Sequence, residues 1–459
     1  MRRPATAIVA VAVGLVLVAG LVTFLLLRAD GEASQAATDT SETTDTSDPT
    51  DTSDPTDTSD PTDTSDPTDT SDPTDPSDPT DTSDPTDPSD PSDPTDPSDP
   101  SDLSDSSDPS APSAGSQAAL EATVSELSQY VADARGAPFP APVEVELLAG
   151  DAFTDRLLAD FDEQREDIEL VGRLFVAMGL LEEDQDLVEI FRELLGAGVL
   201  GFYDPESGEL VVRGADITPA TRSTIVHELV HAHDDQRFEL HRPELDDADD
   251  ERGLGFAALV EGNATRIQQV WEAELSAAER AEILAEQLDS VGELDVAAVP
   301  PVVLQQVQFP YTAGPGLVDA LVDAGGEGRV DAAFAEPPTT SEQVLDPDRY
   351  LAGEVALAVP APVADGDVID QGSYGQLTLL VTLADELDVE TARRAADGWG
   401  GDAYVAWRDG DTTCVRATFV MDTAEDLEEL VTAWRDWADD HPDAEVAADD
   451  GSVTTTACG

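Results

Sequence analysis

Two histidines and a glutamate share one short stretch, His227-Glu228-Leu229-Val230-His231. Residues four apart project from the same face of an α-helix, so both imidazoles can reach a single metal ion. Glu228 directly follows His227, and there its carboxylate can take a proton from a water molecule beside the metal. The spacing therefore predicts a zinc site for hydrolysis, with His227 and His231 as ligands and Glu228 as general base. The alternative interpretation is two histidines buried in an ordinary amphipathic helix.

A catalytic zinc ion needs a third protein ligand and keeps its fourth position for water. Glu261 is favoured because it follows four apolar or small residues, Ala257–Val260, where an unpaired carboxylate would be costly. His241 and the acidic run Asp246–Glu251 stay open as alternatives. His233 is disfavoured because it points around the helix from the ligand pair.

Local signals place these residues on two helices. Thr218 is a suitable N-cap and Pro219 a suitable first residue for a helix that we expect to end near Phe238. The second helix is expected over Leu254–Leu275. Its small residues Gly262 and Ala264 should let it approach the first helix closely.

The surrounding segments predict the rest of the core. Two apolar runs, Val199–Tyr203 and Glu209–Val212, flank a turn that contains proline and glycine, which indicates a β-hairpin. Further upstream, the periodicity of apolar residues predicts three helices and a strand. They are helices over Ser116–Arg135, Ala152–Glu166 and Asp167–Leu195, and a strand over Val143–Leu148.

The last hundred residues form a second pattern, typical of a small α+β module. Cys414 falls in a predicted strand and Cys458 comes at the end of another, and an even number of cysteines outside the cytoplasm favours a disulfide over free thiols. Four tryptophans concentrate there, and core packing is the favoured interpretation for them. The predicted elements are helices over Gly375–Leu387 and Ala424–Asp439 and strands over Tyr404–Trp407, Thr413–Val420 and Ser452–Ala457.

The strings His-Glu-Leu-Val-His-Ala-His-Asp-Asp-Gln and Leu-Val-Glu-Gly-Asn-Ala together resemble the gluzincin pattern of HExxH metallopeptidases. More closely, the chain resembles a poorly characterised group of bacterial, often envelope-attached metallopeptidases. The resemblance covers about residues 201–404. It includes three further strings, at Gly201–Pro205, Phe309–Tyr311 and Pro337–Leu345.

This resemblance implies a zincin-like fold in which His227, His231 and Glu261 bind Zn²⁺ and Glu228 is the general base. It also implies an oxyanion stabiliser beyond the second ligand helix. Tyr311 is the candidate for that role, with Arg349 and Tyr350 as weaker alternatives.

One position departs from the family pattern. Many gluzincins carry, four residues after the ligand glutamate, an aspartate that supports a ligand histidine, and this chain has Thr265 there. We therefore expect the support to come from elsewhere, at Asp234 or Asp235.

The N-terminal quarter predicts attachment to a membrane. Residues 7–27 are apolar or small over a length that spans a bilayer, and arginines precede them, so residues 1–6 should be cytoplasmic. This length favours an uncleaved anchor over a cleaved signal peptide. Residues 28–116 consist largely of an acidic repeat of Thr, Ser, Asp and Pro, which predicts a disordered linker. The remaining chain would then be extracytoplasmic.

The net charge of the chain narrows the classes of partner that it can bind. A formal net charge of −78 argues against nucleic acid as a partner, because phosphates would be repelled.

We expect an α+β fold with a mainly helical metallopeptidase core and a small edge-strand sheet at 117–352, followed by the C-terminal module at 353–459. The predicted activity is hydrolysis of peptides or proteins. The alternatives are an envelope scaffold with a vestigial metal site and a zinc hydrolase of non-peptide amides.

Overall fold

The computed structural model describes residues 114–159, 161–246, 250–290, 292 and 294–459. These residues form a mixed fold of helices and two small sheets, which confirms the α+β class. The helices are α1 (Ala114–Ala134), α2 (Asp151–Leu157), α3 (Arg165–Ala177), α4 (Leu187–Gly198), α5 (Pro219–Phe238), α6 (Pro243–Asp246), α7 (Asp250–Glu274), α8 (Ala277–Ser290), α9 (Pro301–Thr312), α10 (Gly314–Gly325), α11 (Glu327–Ala335), α12 (Ser341–Leu345), α13 (Pro347–Ala352), α14 (Gly375–Glu386), α15 (Val389–Ala396) and α16 (Ala424–Asp440). The strands are β1 (Val145–Leu148), β2 (Gly201–Asp204), β3 (Glu209–Arg213), β4 (Asp367–Gly372), β5 (Trp399–Asp409), β6 (Thr412–Met421), β7 (Glu445–Ala448) and β8 (Val453–Cys458).

The first sheet has three strands in the order β1-β3-β2. Strands β2 and β3 form the predicted antiparallel hairpin, with Gly201 opposite Val212, and β1 runs parallel to β3. The turn of the hairpin ends at Gly208, whose φ of 73° is a conformation that glycine adopts without strain. Because β3 is the central strand, β2 lies at one edge of this sheet. The segment after β3 leads into α5.

Two of the predicted helices differ from the structure. The segment predicted as one helix over Asp167–Leu195 forms two helices, α3 and α4. Gly179 has a φ of 74°, which ends the first, and Asp186 starts the second by accepting hydrogen bonds from the backbone N–H groups of Val188 and Glu189. The segment predicted as a helix over Ala152–Glu166 is likewise interrupted, with a short 3₁₀ turn between α2 and α3.

The second sheet contains five strands in the order β4-β5-β6-β8-β7, and all neighbours are antiparallel. Cys414 and Cys458 lie directly opposite each other on β6 and β8 and form a disulfide, as predicted. The sequence interpretation identified α14, α16, β5, β6 and β8 but not β4, β7 or α15. Trp399, Trp434 and Trp437 are fully buried, which confirms the core interpretation for them.

The buried apolar residues form two main clusters, and α7 contributes to both. Ala258 and Leu259 belong to the larger cluster, which also includes the C-terminal sheet. Ala264 and Ile267 belong to the second, which includes α1 and the apolar face of α5. Glu261 therefore lies on a helix held between two hydrophobic clusters, where its position has little freedom.

The predicted membrane anchor, residues 7–27, lies outside the described residues, as does nearly all of the predicted linker. Within the part of the chain that the structure describes, no helix is both long and apolar enough to cross a membrane.

Candidate metal centre

Helix α5 holds the two histidines in a fixed frame. It begins as predicted, with Thr218 accepting a hydrogen bond from the backbone N–H of Thr221 and Pro219 in the first turn. It ends at Phe238, because the left-handed φ of 57° at Glu239 stops the helix. The helix is buried from Ser223 to Asp234, so packing on its apolar sides fixes the direction in which His227 and His231 point.

The three predicted ligands meet at one point. Nε2 of His227 lies 3.1 Å from Oε2 of Glu261, and Nε2 of His231 lies 3.3 Å from the same oxygen. One ligand atom from each side chain lies within 4.8 Å of the others. In a tetrahedral site with bonds of about 2.0–2.1 Å, ligand atoms are about 3.3 Å apart. The spacing of these donors and their types, two imidazoles and a carboxylate, therefore fit a zinc ion.

The burial of these groups supports the same fit. The three side chains are at most 1% exposed, and Oε1 of Glu261 has no hydrogen-bond partner among the described residues. Burial by itself raises the pKa of a carboxyl group, but His231 and His227 lower the pKa of Glu261 below its ordinary range. The site therefore holds a buried negative charge and an oxygen left without a partner, which a cation would satisfy.

Glu228 is buried next to this group of ligands. Its side chain has no measurable exposure, and no side chain among the described residues forms a hydrogen bond with its carboxylate. Burial raises the pKa of Glu228 to about 8, and the nearby Glu261 adds to this rise, while His227 opposes it. A carboxyl group with a pKa near neutrality can both accept and release a proton.

Strand β2 approaches Glu228 closely because Gly201 has no side chain. A β-carbon at position 201 would lie 2.5 Å from Cγ2 of Thr224 and 3.2 Å from Oε1 of Glu228. Glycine at this position therefore lets the edge strand pass directly over the predicted general base.

Helix α7 packs closely against α10 at Gly262, a contact that the sequence interpretation did not include. Gly262 faces Gly314 at the start of α10, where a β-carbon on Gly262 would lie 2.3 Å from the carbonyl carbon of Gly314. Gly262 was expected to bring α7 against α5, but the atoms nearest to it belong to Gly314. Ala264 shares a hydrophobic cluster with residues of α5, as expected.

Gln268 forms the hydrogen bond to His227 that the sequence interpretation assigned to an aspartate. Nδ1 of His227 lies 3.0 Å from Oε1 of Gln268. The hydrogen bonds of Asp234 join it to Arg135, His233 and Asn263 instead. Gln268 lies seven residues after Glu261, two helical turns along the same face of α7, and this spacing is the signal that could have identified it.

Asp235, the other aspartate considered for this role, also bonds elsewhere. It accepts hydrogen bonds from the hydroxyl of Tyr203 and from the backbone N–H of Leu240. These contacts tie the end of α5 to β2 and to the loop that follows the helix.

Among the described residues, none of the alternative third ligands belongs to the group formed by His227, His231 and Glu261. The ring of His233 contacts Asp234 through Nδ1 and the backbone oxygen of Ala137 through Nε2, and His241 is exposed. Glu251 accepts hydrogen bonds from Ser341. The side chains of residues 246–250 lie outside the described part of the chain.

Tyr311 lies at the site, within α9 and 7% exposed. Its ring is 6.3 Å from the ring of His227 between centroids, at an angle of 25° between planes. Arg349 and Tyr350, the weaker alternatives, have partners elsewhere. Arg349 pairs with the carboxylates of Glu342, Glu354 and Asp422, and the Tyr350 hydroxyl donates to the backbone oxygen of Glu336.

Comparison with known proteins gives a match only in the C-terminal part of the chain. A family model described as a domain of unknown function (DUF8575) matches residues 361–458, which include the five-stranded sheet and the disulfide but not the predicted metal ligands. No curated protein and no solved structure matches the chain.

Proposed function

We propose that this protein is a zinc-dependent peptidase, anchored in the membrane by residues 7–27, with its catalytic part outside the cytoplasm. The observation that carries the proposal is the meeting of His227, His231 and Glu261 around one point, with Glu228 buried beside them. In this proposal the zincin-like core binds zinc through these three side chains. When bound, zinc supplies Lewis acidity, which acidifies a water molecule and polarises a carbonyl group.

Glu228 does the proton chemistry in this proposal. Its carboxylate accepts a proton from the attacking water as the new C–O bond forms. It then gives that proton to the amine nitrogen as the C–N bond of the peptide breaks. Tyr311 is proposed to donate a hydrogen bond to the oxyanion, because its ring lies against His227.

The edge strand β2 offers a place for an extended substrate. Among the described strands β2 pairs only with β3, and Gly201 lies against Glu228. A peptide that added to this edge as a further strand would run past the general base. Because the ligands are at most 1% exposed, we expect a covering element to move before a substrate reaches them.

The same burial favours a second candidate function, a scaffold with a closed structural metal site. Structural zinc sites are closed, whereas catalytic ones keep an open position. Glu228 argues for the enzyme, because a structural site needs no additional buried carboxylate beside its ligands. A zinc hydrolase of non-peptide amides would use the same groups.

Metal content and peptide hydrolysis test the proposal together. The full-length chain is purified, its zinc is measured by mass spectrometry, and it is incubated with a diverse peptide library whose products are sequenced. We expect about one zinc per chain and cleavage that stops on removal of zinc with a chelator and returns when zinc is restored. A zinc-loaded protein that cleaves no peptide would support the scaffold or the amide hydrolase instead.

A further inference from the structure

The predicted ligands belong to a longer row of polar side chains that joins α5 to α7. The spacing of the row follows the helical repeat on α5, where the three residues are four apart. From one pair to the next, the residue numbers rise along α5 and fall along α7, so the two helices are antiparallel here. The three pairs are Ser223 with Glu272, His227 with Gln268, and His231 with Glu261.

Burial raises the pKa of Glu272, whereas the hydrogen bond from Ser223 lowers it. At a pH where Glu272 is ionised, the hydrogen bonds in this row have only one consistent direction. The Ser223 hydroxyl has a single hydrogen and donates it to the Glu272 carboxylate, which can only accept. Oγ of Ser223 is then free to accept a hydrogen bond from Nε2 of Gln268, 2.9 Å away. The amide of Gln268 is therefore turned so that its oxygen faces His227.

This direction determines which nitrogen of His227 carries a hydrogen. The Gln268 oxygen only accepts, so Nδ1 of His227, 3.0 Å away, must donate. In the neutral ring the lone pair is then on Nε2, the atom that lies beside Glu261. We infer that Gln268, held by Ser223 and Glu272, is a positioning residue that fixes the orientation and tautomer of His227 for metal binding.

Burial makes this arrangement rigid. Gln268 is 2% exposed and Ser223 has no measurable exposure, so water does not compete for these hydrogen bonds. Loss of the Gln268 amide would leave Nδ1 of the buried His227 without its partner and would remove the hydrogen bond that Ser223 accepts. Removal of a hydrogen-bond partner of a metal-binding histidine typically weakens metal affinity 10–100-fold.

The inference rests on the proposed metal site, and zinc affinity of the full-length chain tests it. Competition with a chromophoric chelator gives the zinc dissociation constant of each variant. We expect Gln268→Met, which keeps size but removes the hydrogen bonds, to bind zinc about 10–100-fold more weakly. Gln269→Met, at the exposed neighbouring position, is the matched control and should bind as the wild type does.

Two further variants separate positioning from packing. Gln268→Glu keeps an acceptor for His227 and should restore zinc affinity to within a few-fold of the wild type. Ser223→Ala frees the Gln268 amide to turn and should give an intermediate loss, so it serves as the test if Gln268→Met does not fold. The rise in melting temperature on adding zinc, measured for each variant, removes any change in metal-free stability from the comparison.

The outcomes distinguish this inference from the proposal on which it rests. A wild-type chain that binds no zinc would overturn the metal site itself. A wild-type chain that binds zinc, with Gln268→Met or Ser223→Ala binding it equally well, would overturn only the positioning role. Equal losses in Gln268→Met and Gln268→Glu would also overturn it, because packing of the glutamine would then be the requirement.

Discussion

Nε2 of His227 lies 3.1 Å from Oε2 of Glu261, although the two residues are 34 positions apart in the sequence. Each is held by its own helix, and the same glutamate oxygen lies 3.3 Å from Nε2 of His231. Three buried side chains that converge in this way would be costly to fold without a shared partner. The proposed zinc ion is that partner.

Glu261→Ala should therefore remove most of the zinc from the purified full-length chain. Two histidines remain, and a zinc site with one of its three protein ligands missing loses affinity sharply. Metal content measured by mass spectrometry checks this, with the exposed Glu274→Gln on the same helix as control. Full zinc retention in Glu261→Ala would exclude Glu261 as a ligand.

Gly262→Ala should disturb the site without changing any ligand. Its β-carbon would meet the backbone of Gly314 at 2.3 Å, so α7 must move away from α10, and Glu261 moves with it. We expect a loss of about 1–3 kcal/mol in the free energy of unfolding and weaker zinc binding. Gly316→Ala is the matched control because a β-carbon there meets nothing within 4 Å. Equal behaviour of the two variants in denaturant titrations would argue against the close contact.

Arg135→Gln should destabilise the fold strongly. The Arg135 side chain is fully buried, and its guanidinium pairs with Asp234 at 2.9 Å and with Glu327 and Asp331. Removing one partner of a buried ion pair typically costs about 3–5 kcal/mol because a buried charge is left uncompensated. Denaturant unfolding checks the loss, with the exposed Arg435→Gln as control. A loss similar to that of the control would contradict the buried network.

The same network predicts the direction of a pH effect. Burial alone raises the pKa of a carboxyl group, but Arg135 and His233 lower the pKa of Asp234 below its ordinary value. The folded state therefore binds fewer protons here than the unfolded state. Stability from Asp234 is present above the unfolded pKa of about 4 and is lost as the pH falls through the lowered folded pKa. Arg135→Gln should flatten this acid limb, and an unchanged limb would contradict the assignment.

Replacing both cysteines by serine should lower stability but not zinc affinity. The disulfide joins residues 44 positions apart, and loss of such a cross-link typically costs about 2–4 kcal/mol. The bridge belongs to the five-stranded sheet, whereas the predicted ligands are on α5 and α7. Melting temperature and zinc titration of the double variant check both halves. A matching loss of zinc affinity would show that the sheet supports the site.

Local patterns in the sequence were enough to predict α5, because a cap, a proline and four-residue spacing are all read within one segment. The position of Glu261 beside the two histidines could also be predicted, since a carboxylate after a run of apolar residues needs a partner. The contacts of Gln268, Gly262 and Arg135 could not, because each depends on a residue from a distant segment that only the folded chain brings near. Apolar periodicity alone predicted one helix over Asp167–Leu195, whereas the positive φ of Gly179 ends α3.

Glu228→Gln tests the central proposal most directly. The amide has nearly the same shape as the carboxylate, and Glu228 is not among the predicted ligands, so fold and zinc content should be unchanged. The amide cannot accept the proton of water, and general-base catalysis typically contributes about 10²–10⁴-fold in rate. The measurement is the rate of cleavage of a library peptide by full-length wild type and variant at equal zinc content. The account predicts a fall of at least about 100-fold, and equal rates in the two proteins would contradict it.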